Sequence, residues 1–365
     1  MADPVLHIKD AYYFEVPKFM WRYHYTSYGQ VPHSMDFLVH DAEHQHLSID
    51  EFNYELSGKI LIPQPFATLK NLYEKQSGFA ISKFMVLELL AAVVLSIFFI
   101  RLGQRMKAGV EPRGRWWNLL ESMLVFIRDQ VVRPSIGGHD EHDEHDGGPM
   151  PVQTHYDQRQ IPGNENADDP FHDHGNGHGR VKEHEGWHPN PADKFLPLFW
   201  TMFFFILGCN LLGLIPWLGA PTGAFGATFG FACVTFATTI LAGSKKFGPI
   251  GFWFNQVPSM ELPWYMWPLK IVIFLIEVLG LFIKHAILSV RLLANMVAGH
   301  LVLLGIMGLI AGAAAAGTGT WTTVTFISVV SSTLFSLLEL FVAFLQAYIF
   351  TFLSALFIGA AVHRH

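Results

Sequence analysis

The chain has 365 residues, of which 51% are hydrophobic and 15% charged, and its net charge is −6. Charged residues gather before Lys83 and between Arg101 and Lys194, whereas residues 195–362 are almost uniformly apolar. A helix of about 20 apolar residues crosses a bilayer, and this last stretch is long enough for at least three. The composition therefore excludes a set of soluble domains and predicts a polytopic membrane protein.

The first 80 residues are polar and rich in aromatic side chains, and we expect residues 1–80 to form an extramembrane N-terminal extension. Pro63 and Pro65 preclude a long helix there, because proline lacks the amide proton that a helix interior needs. The histidines of this part have no tight spacing apart from His44 and His46. Ordinary surface use is therefore favoured over a metal site.

Residues 81–136 are predicted to hold the first span and a helix on the membrane surface. Basic residues follow Phe84–Ile100 directly, beginning at Arg101. Basic flanks lie on the cytoplasmic side of bacterial membranes, so the N-terminus is expected outside. Residues 116–132 alternate apolar and charged clusters at helical spacing, which is typical of an amphipathic interfacial helix.

Residues 137–192 are predicted to be a disordered, acidic, histidine-rich cytoplasmic loop. Between His139 and His188 there are twelve acidic residues, three basic residues and nine histidines. So polar a segment cannot bury enough apolar surface to offset the entropy lost on ordering. A loose metal site is the weaker alternative to a solvated insertion; its candidate ligands are His139, His142, His145, His172, His174 and His178.

The membrane channel domain is assigned to residues 193–365. Its second span, 195–216, has Asn210 as the only strongly polar group of its interior, and the third span covers 222–242. Two over-long apolar segments follow, at about 268–310 and 321–362. The expected fold is therefore all-α, with about five membrane passes.

Each over-long segment has about twice the ~20 residues needed to cross the hydrocarbon core, so it must either tilt steeply or break. The small residues 312–319 predict a turn between the two segments. The turn would fold them into an antiparallel hairpin.

Polar residues recur along the first long segment in a helical pattern. Glu277, Lys284 and Arg291 are seven residues apart and share one stripe, and Asn295 lies one turn beyond. A charge at mid-bilayer costs at least ~2.5 kcal/mol, and long apolar runs on both sides leave Arg291 little scope to reach the headgroups. A function in moving something charged is favoured over a structural ion pair.

Titratable groups lie on both long segments. His300 follows nine residues after Arg291, and Glu339 and Gln346 lie seven apart on the second segment. Histidine and a buried carboxylate can both exchange protons near neutral pH, whereas arginine stays protonated and interrupts a relay. The pattern predicts a proton pathway with a barrier, whose mobile carboxylate comes from a partner subunit.

Two motifs carry a family resemblance. RLLANMVAGHLV (291–302), followed by LELFVAFLQAYIFTFLSALF (338–357), resembles subunit a of F-type ATP synthases. GVEPRGRWWNLLE after the first span and NLLGLIP at the end of the second extend the resemblance over most of the apolar chain. It implies a stator subunit, not an enzyme by itself and without cofactor, that provides two offset proton half-channels.

The resemblance also implies partners and residue roles. The partners are protons, the lipid bilayer, the c-ring against which the long hairpin lies, the b subunits and the remaining ATP synthase, with no nucleic acid. The expected location is a bacterial inner membrane, with the C-terminus cytoplasmic. The positions that match proton-translocating residues of the family are Arg291, Asn295, His300, Glu339, Gln346, Glu277 and Lys284.

Within that set, Arg291 is similar to the family's essential arginine, and Asn295 and Gln346 would flank it. His300 and Glu339 resemble a reciprocally exchanged pair, for which a direct contact is expected. The chain departs from the family at Gly213, where some members carry aspartate, and near the start of the third span, where Ala224 and Gly226 stand in a region that often holds aspartate and asparagine. The sequence leaves open whether H⁺ or Na⁺ is moved.

Two other functions are weighed. A metal-ion transporter would need imidazole or carboxylate ligands paired at i, i+4 inside the spans, and the spans contain no such pair of histidine and aspartate. A purely structural membrane anchor would leave Arg291 unexplained.

Overall fold

A computed structural model describes residues 10–44, 46–107, 114–137, 190–215, 218–255, 267–315 and 317–363. The described helices are α1 (Asp36–His44), α2 (Ile49–Leu56), α3 (Lys83–Lys107), α4 (Arg115–Phe126), α5 (Arg133–Ile136), α6 (Leu196–Gly213), α7 (Phe225–Phe247), α8 (Pro249–Asn255), α9 (Trp267–Ala313) and α10 (Thr318–Val362). The strands are β1 (Tyr13–Glu15), β2 (Lys59–Leu61), β3 (Ala67–Leu69) and β4 (Lys75–Gly78).

Five of these helices, α3, α6, α7, α9 and α10, are long and apolar enough to cross a membrane. They correspond one by one to the five predicted spans, which confirms the all-α polytopic fold. The mostly helical content follows from the bilayer itself, because a helix satisfies its backbone hydrogen bonds without water.

The two over-long segments are single helices. The α9 helix has 47 residues and α10 has 45, so at ~1.5 Å per residue each is about 70 Å long, roughly twice the ~30 Å hydrocarbon thickness. The sequence predicts either a break or a steep tilt. Because both helices are continuous, a steep tilt is the possibility that remains. The turn uses Gly317 at φ +97°, a backbone conformation that side chains disfavour.

The α6 helix packs between α3 and α10. Its Phe199 and Ile206 are fully buried, together with Leu292 of α9 and Phe350 and Ile358 of α10. A helix that is apolar on all sides is favoured in such a position, because it can pack against neighbours on several faces. This arrangement fixes α6 against the middle of the long hairpin.

The predicted surface helix is present as a longer element. The α4 helix continues through a π-helical turn at Ile127–Val132 into α5. Val131 and Val132 are completely buried in the same core as α6. Its inner face therefore packs on the bundle; its position at the membrane surface stays a prediction.

The two ends of the histidine-rich insertion are held together. Arg133 donates from Nε and Nη2 to the two carboxylate oxygens of Asp193, each at 3.1 Å. A Cβ placed on Gly137 would lie 3.1 Å from Nδ2 of Asn190. We call these four residues the stem. The predicted disorder and the histidines of the insertion fall within 138–189, outside the described residues.

The N-terminal extension contains short strands that are not evident from the sequence pattern. Strand β1 pairs antiparallel with β2, more than forty residues later, and β3 pairs with β4. The α2 helix begins with a capping box in which Ser48 and Glu51 bond reciprocally. Strands of three or four residues have too few positions to show a period of two, and β1 is completed only by a distant partner.

Candidate functional site

Glu339 of α10 lies against the backbone of α9 at Gly299. Glu339 is 7% exposed, and a Cβ built on Gly299 would overlap Oε1 of Glu339 and lie 3.0 Å from its Cδ. The glutamate therefore occupies space that any other residue at 299 would fill. This close approach brings the carboxyl group within one residue of His300.

The same contact sets the register of the hairpin. In an antiparallel pair, moving seven residues forward on α10 corresponds to moving seven back on α9. Gln346, which is buried, therefore lies level with Leu292, next to Arg291. Two predicted groups on α10 thus face two predicted levels on α9, about 10 Å apart along the helix axes.

A small cavity lies beside Glu339. It is lined by Glu339, Asn295 and Asn210, together with Leu214, Leu292, Met296 and Ala343. The cavity volume available to the centre of a water molecule is about 10 Å³, close to the minimum that one water needs. The three polar side chains in its wall could hydrogen-bond to that water. The structure thus brings predicted residues Asn295 and Glu339 together.

Asn210, which the motifs do not predict as a proton-translocating residue, lines the same cavity. Its Nδ2 donates to the carbonyl oxygen of Ala343 at 3.2 Å, and its Oδ1 accepts from the Thr222 hydroxyl at 2.8 Å. Asn210 therefore joins α6, α10 and the turn before α7 at the cavity wall. The sequence does mark this residue, since Asn210 is the only strongly polar residue inside the second span.

Three of the predicted residues carry buried polar atoms without a partner. Among the described residues, none hydrogen-bonds to Nε and Nη2 of Arg291, to Nε2 of His300 or to either carboxylate oxygen of Glu339. An unpaired buried polar group costs about 1–3 kcal/mol, and more when it is charged. Groups retained at such cost point to a function rather than to stability.

The expected contact between His300 and Glu339 is therefore not a direct hydrogen bond. The carboxyl group of Glu339 faces Gly299, which lies one residue and about 100° around the helix from His300. The carboxyl group of Glu339 on α10 thus contacts the α9 residue next to His300, and no hydrogen bond joins it to the imidazole.

Glu277 and Lys284 lie on α9 before Arg291, as the seven-residue spacing predicts. Lys284 is exposed and Glu277 is partly exposed, and neither lines the cavity at Glu339. Of the predicted set, Asn295 and Glu339 thus meet at the cavity, whereas Glu277 and Lys284 lie away from it.

Gly213 has a structural reason for lacking an acidic side chain. A Cβ there would lie 2.7 Å from Cβ of Ala220 and 3.0 Å from Cε of Met296. The space that an aspartate would need is filled, and the polar contact at this level comes from Thr222 and Asn210 instead.

The weak metal-site prediction gains no support from the described part of the chain. There, no three His, Cys, Asp or Glu residues are grouped closely enough to hold a metal ion. The candidate histidines of the insertion lie outside the described residues.

Comparisons with known proteins point to one family. A family model described as ATP synthase A chain matches residues 180–359. ATP synthase subunit a of Myxococcus xanthus is 33% identical over 292 residues, which cover 78% of this chain and 75% of that relative. The chain belongs to the ATP synthase subunit a family.

Two further relatives in the subunit a family show the extent of the similarity. ATP synthase subunit a 2 of Chlorobaculum tepidum is 32% identical over 323 residues, which cover 87% of this chain and 71% of the relative. Subunit a of Anaeromyxobacter dehalogenans is 47% identical over 174 residues, 48% of this chain and 43% of the relative. The family supplies the non-catalytic proton-channel subunit of the membrane sector, so this chain is a multi-pass membrane component of an ATP synthase.

Proposed function

We propose that this subunit provides two offset proton half-channels, separated by Arg291, that couple proton flow to rotation of the c-ring. The observation that supports this most directly is the guanidinium of Arg291, whose buried Nε and Nη2 have no partner among the described residues. A cation whose nitrogens are buried without a counter-charge is costly. A carboxylate presented by the c-ring would complete the pair.

Arg291 then acts through its fixed charge. Guanidinium remains protonated in proteins, so it cannot pass a proton itself. A positive charge close to a carboxylate favours the ionised form and so promotes release of its proton. Arg291 would therefore discharge each passing carboxylate and keep the two half-channels apart.

The uptake half-channel is assigned to the side of Arg291 that holds His300 and Glu339. The cavity beside Glu339 contains Asn210 and Asn295, whose side chains can hold a water in hydrogen-bonding distance of a carboxyl group. A neutral imidazole and a carboxyl group can each accept and return a proton near neutral pH. Gln346, level with Arg291, would orient the incoming carboxylate.

The release half-channel is assigned to the other side of Arg291, where Glu277 is partly exposed and Lys284 is exposed. Orientation follows from the positive-inside rule: α7 ends at Lys245 and Lys246, and basic residues also close α3. The C-terminal ends of α3 and α7 are therefore cytoplasmic, and the N-terminus of the chain lies outside. The long hairpin faces the c-ring, and the b subunits complete the stator.

The test is Arg291→Ala in the whole ATP synthase, reconstituted in proteoliposomes. We expect the complex to assemble and synthesis driven by a proton gradient to be abolished. Normal synthesis by an assembled variant would refute the proposal. ATP-driven pumping measured with and without sodium would identify the coupling ion.

A second test addresses His300 and Glu339. Because both would serve one uptake route, we expect the losses of proton flux in His300→Ala and Glu339→Ala to be strongly non-additive in the double variant. Additive losses would argue that the two residues act separately.

A further inference from the structure

His285 is a buried titratable residue that the half-channels above do not use. It lies on α9, six residues before Arg291, and is 3% exposed. The rings of Phe236 on α7 and Phe357 on α10 enclose it, with centroids 5.2 and 5.0 Å from the imidazole centroid. The imidazole is thus held at the junction of three helices.

One ring nitrogen has a fixed protonation state. Nδ1 of His285 lies 2.9 Å from the carbonyl oxygen of Leu281. A carbonyl oxygen can only accept, so Nδ1 must carry a hydrogen. The remaining nitrogen, Nε2, accepts a hydrogen bond when the ring is neutral and donates one when the ring is charged.

The surroundings of Nε2 suit both states. It lies 3.5 Å from Oγ1 of Thr239, and that oxygen lies 2.8 Å from the carbonyl oxygen of Thr235. With a neutral ring, the Thr239 hydroxyl can donate to Nε2. With a charged ring, Nε2–H can donate to Oγ1 while the hydroxyl donates to the Thr235 carbonyl oxygen. A proton can therefore bind at Nε2 and leave it without a helix moving.

No charged neighbour holds the His285 imidazole permanently in its neutral or its charged form. No acidic residue occurs in α7 or α8, and Glu339, the single acidic residue of α10, is 18 residues from Phe357. On α9, Lys284 is adjacent and Glu277 lies about 12 Å along the axis. The other titratable groups of the packed helices are Lys270, Glu277, Lys284, Arg291 and His300 on α9, Cys233, Lys245 and Lys246 on α7, and Glu339 and Tyr348 on α10.

A row of buried hydroxyls runs from His285 towards Arg291. Thr228, Thr235 and Thr239 share one face of α7, and all three are fully buried. Ser289 of α9 donates to Oγ1 of Thr228 at 3.3 Å. Ser289 lies one turn after His285 and two residues before Arg291, so the polar row approaches the arginine from the side opposite to Glu339.

We infer that His285 is a proton-relay residue of the release half-channel, with the Thr239 hydroxyl as its positioning partner. This inference rests on the proposed function, since it assumes that protons leave on this side of Arg291. The proton released beside Arg291 binds Nε2 and then leaves Nε2 towards the cytoplasmic end of α9, while Nδ1 keeps its own hydrogen on the Leu281 carbonyl. His285 and His300 would then serve opposite sides of the barrier.

The test uses His285→Gln in the complete ATP synthase in proteoliposomes, with inner and outer pH varied independently. Glutamine keeps a polar side chain but cannot titrate, so we expect at least about a tenfold loss of gradient-driven synthesis. The dependence on pH at the release side should flatten, and that at the uptake side should persist. Thr239→Val, which removes only the hydroxyl, should shift the release-side profile without flattening it.

Several outcomes would overturn the inference. A lower rate in His285→Gln with an unchanged pH profile would make His285 a packing residue only, and so would an unchanged rate. Should His285→Gln fail to assemble, an unshifted release-side profile in Thr239→Val would be equally decisive. Loss of synthesis in Arg291→Ala beside normal His285→Gln would refute this inference alone, whereas normal synthesis in Arg291→Ala would refute the proposed function.

Discussion

Replacing Gly299 by alanine tests whether the position of the Glu339 carboxyl group controls proton uptake. The substitution adds one methyl group at the point where α10 approaches the α9 backbone. Its Cβ would overlap Oε1 of Glu339 and lie 3.0 Å from Cδ, whereas carbon atoms in contact are ordinarily ~3.5–4.0 Å apart. The carboxyl group must therefore retreat by roughly 0.5–1 Å.

The expected effect is large on function and small on assembly. A side chain pushed about 30° off its rotamer costs ~0.5–1.5 kcal/mol, and glycine to alanine in a helix interior regains ~1 kcal/mol. These contributions nearly cancel, so the subunit should assemble. A displacement of ~1 Å in a reacting group can cost about a hundredfold in rate, so we expect proton-driven synthesis to fall about 10–100-fold.

The assay is gradient-driven ATP synthesis by reconstituted complexes, normalised to the assembled amount. Gly305→Ala and Gly308→Ala are matched controls on the same helix, because a Cβ at either position meets nothing within 4 Å. In the Gly299→Ala background, Glu339→Asp shortens the side chain by one methylene and should restore part of the rate. Equal rates for Gly299→Ala and its controls would refute the reasoning.

Three further predictions concern parts of the chain away from Gly299. Asn210→Ala and Thr222→Val should each destabilise the purified complex by about 1–3 kcal/mol for each buried group left unpaired, which a lower thermal midpoint would report. Additive losses in the double variant would exclude coupling between the two residues. The hydrogen bonds from Arg128 hold the pKa of the Asp129 carboxyl below the usual value of an aspartate, so the stability that this ionised group contributes is present at higher pH and is lost as the pH falls through the lowered pKa. Acid-induced dissociation should therefore become less steep in Asp129→Asn, and an unchanged profile would count against it. Deleting residues 139–188 should preserve ATP synthesis, whereas a selective loss of zinc tolerance in the same variant would revive a metal function for the insertion.

Much of the fold was predictable because the bilayer imposes a simple rule. Apolar length alone identifies all five spans, and the pairing of α9 with α10 follows from the short small-residue turn. The short strands of the extension were not predictable, since β1 gains its partner from β2, over forty residues away.

The candidate site was predictable in its residue types but not in its contacts. Periodicity correctly assigns Arg291, Asn295 and Glu339 to the two long helices. It cannot show that Glu339 lies on Gly299, because that depends on the register between helices. The cavity contribution of Asn210 likewise depends on how α6 crosses α10, which one sequence does not encode locally.

The stem has a practical consequence for handling this protein. Loop-closure entropy grows slowly with length once the ends are joined, and here Arg133 and Asp193 join them through a bidentate ion pair. Residues added between Gly137 and Asn190 should therefore exert little force on the helices that surround Arg291. A fluorescent reporter or an affinity module placed there would give a handle on the assembled enzyme that leaves its proton path undisturbed.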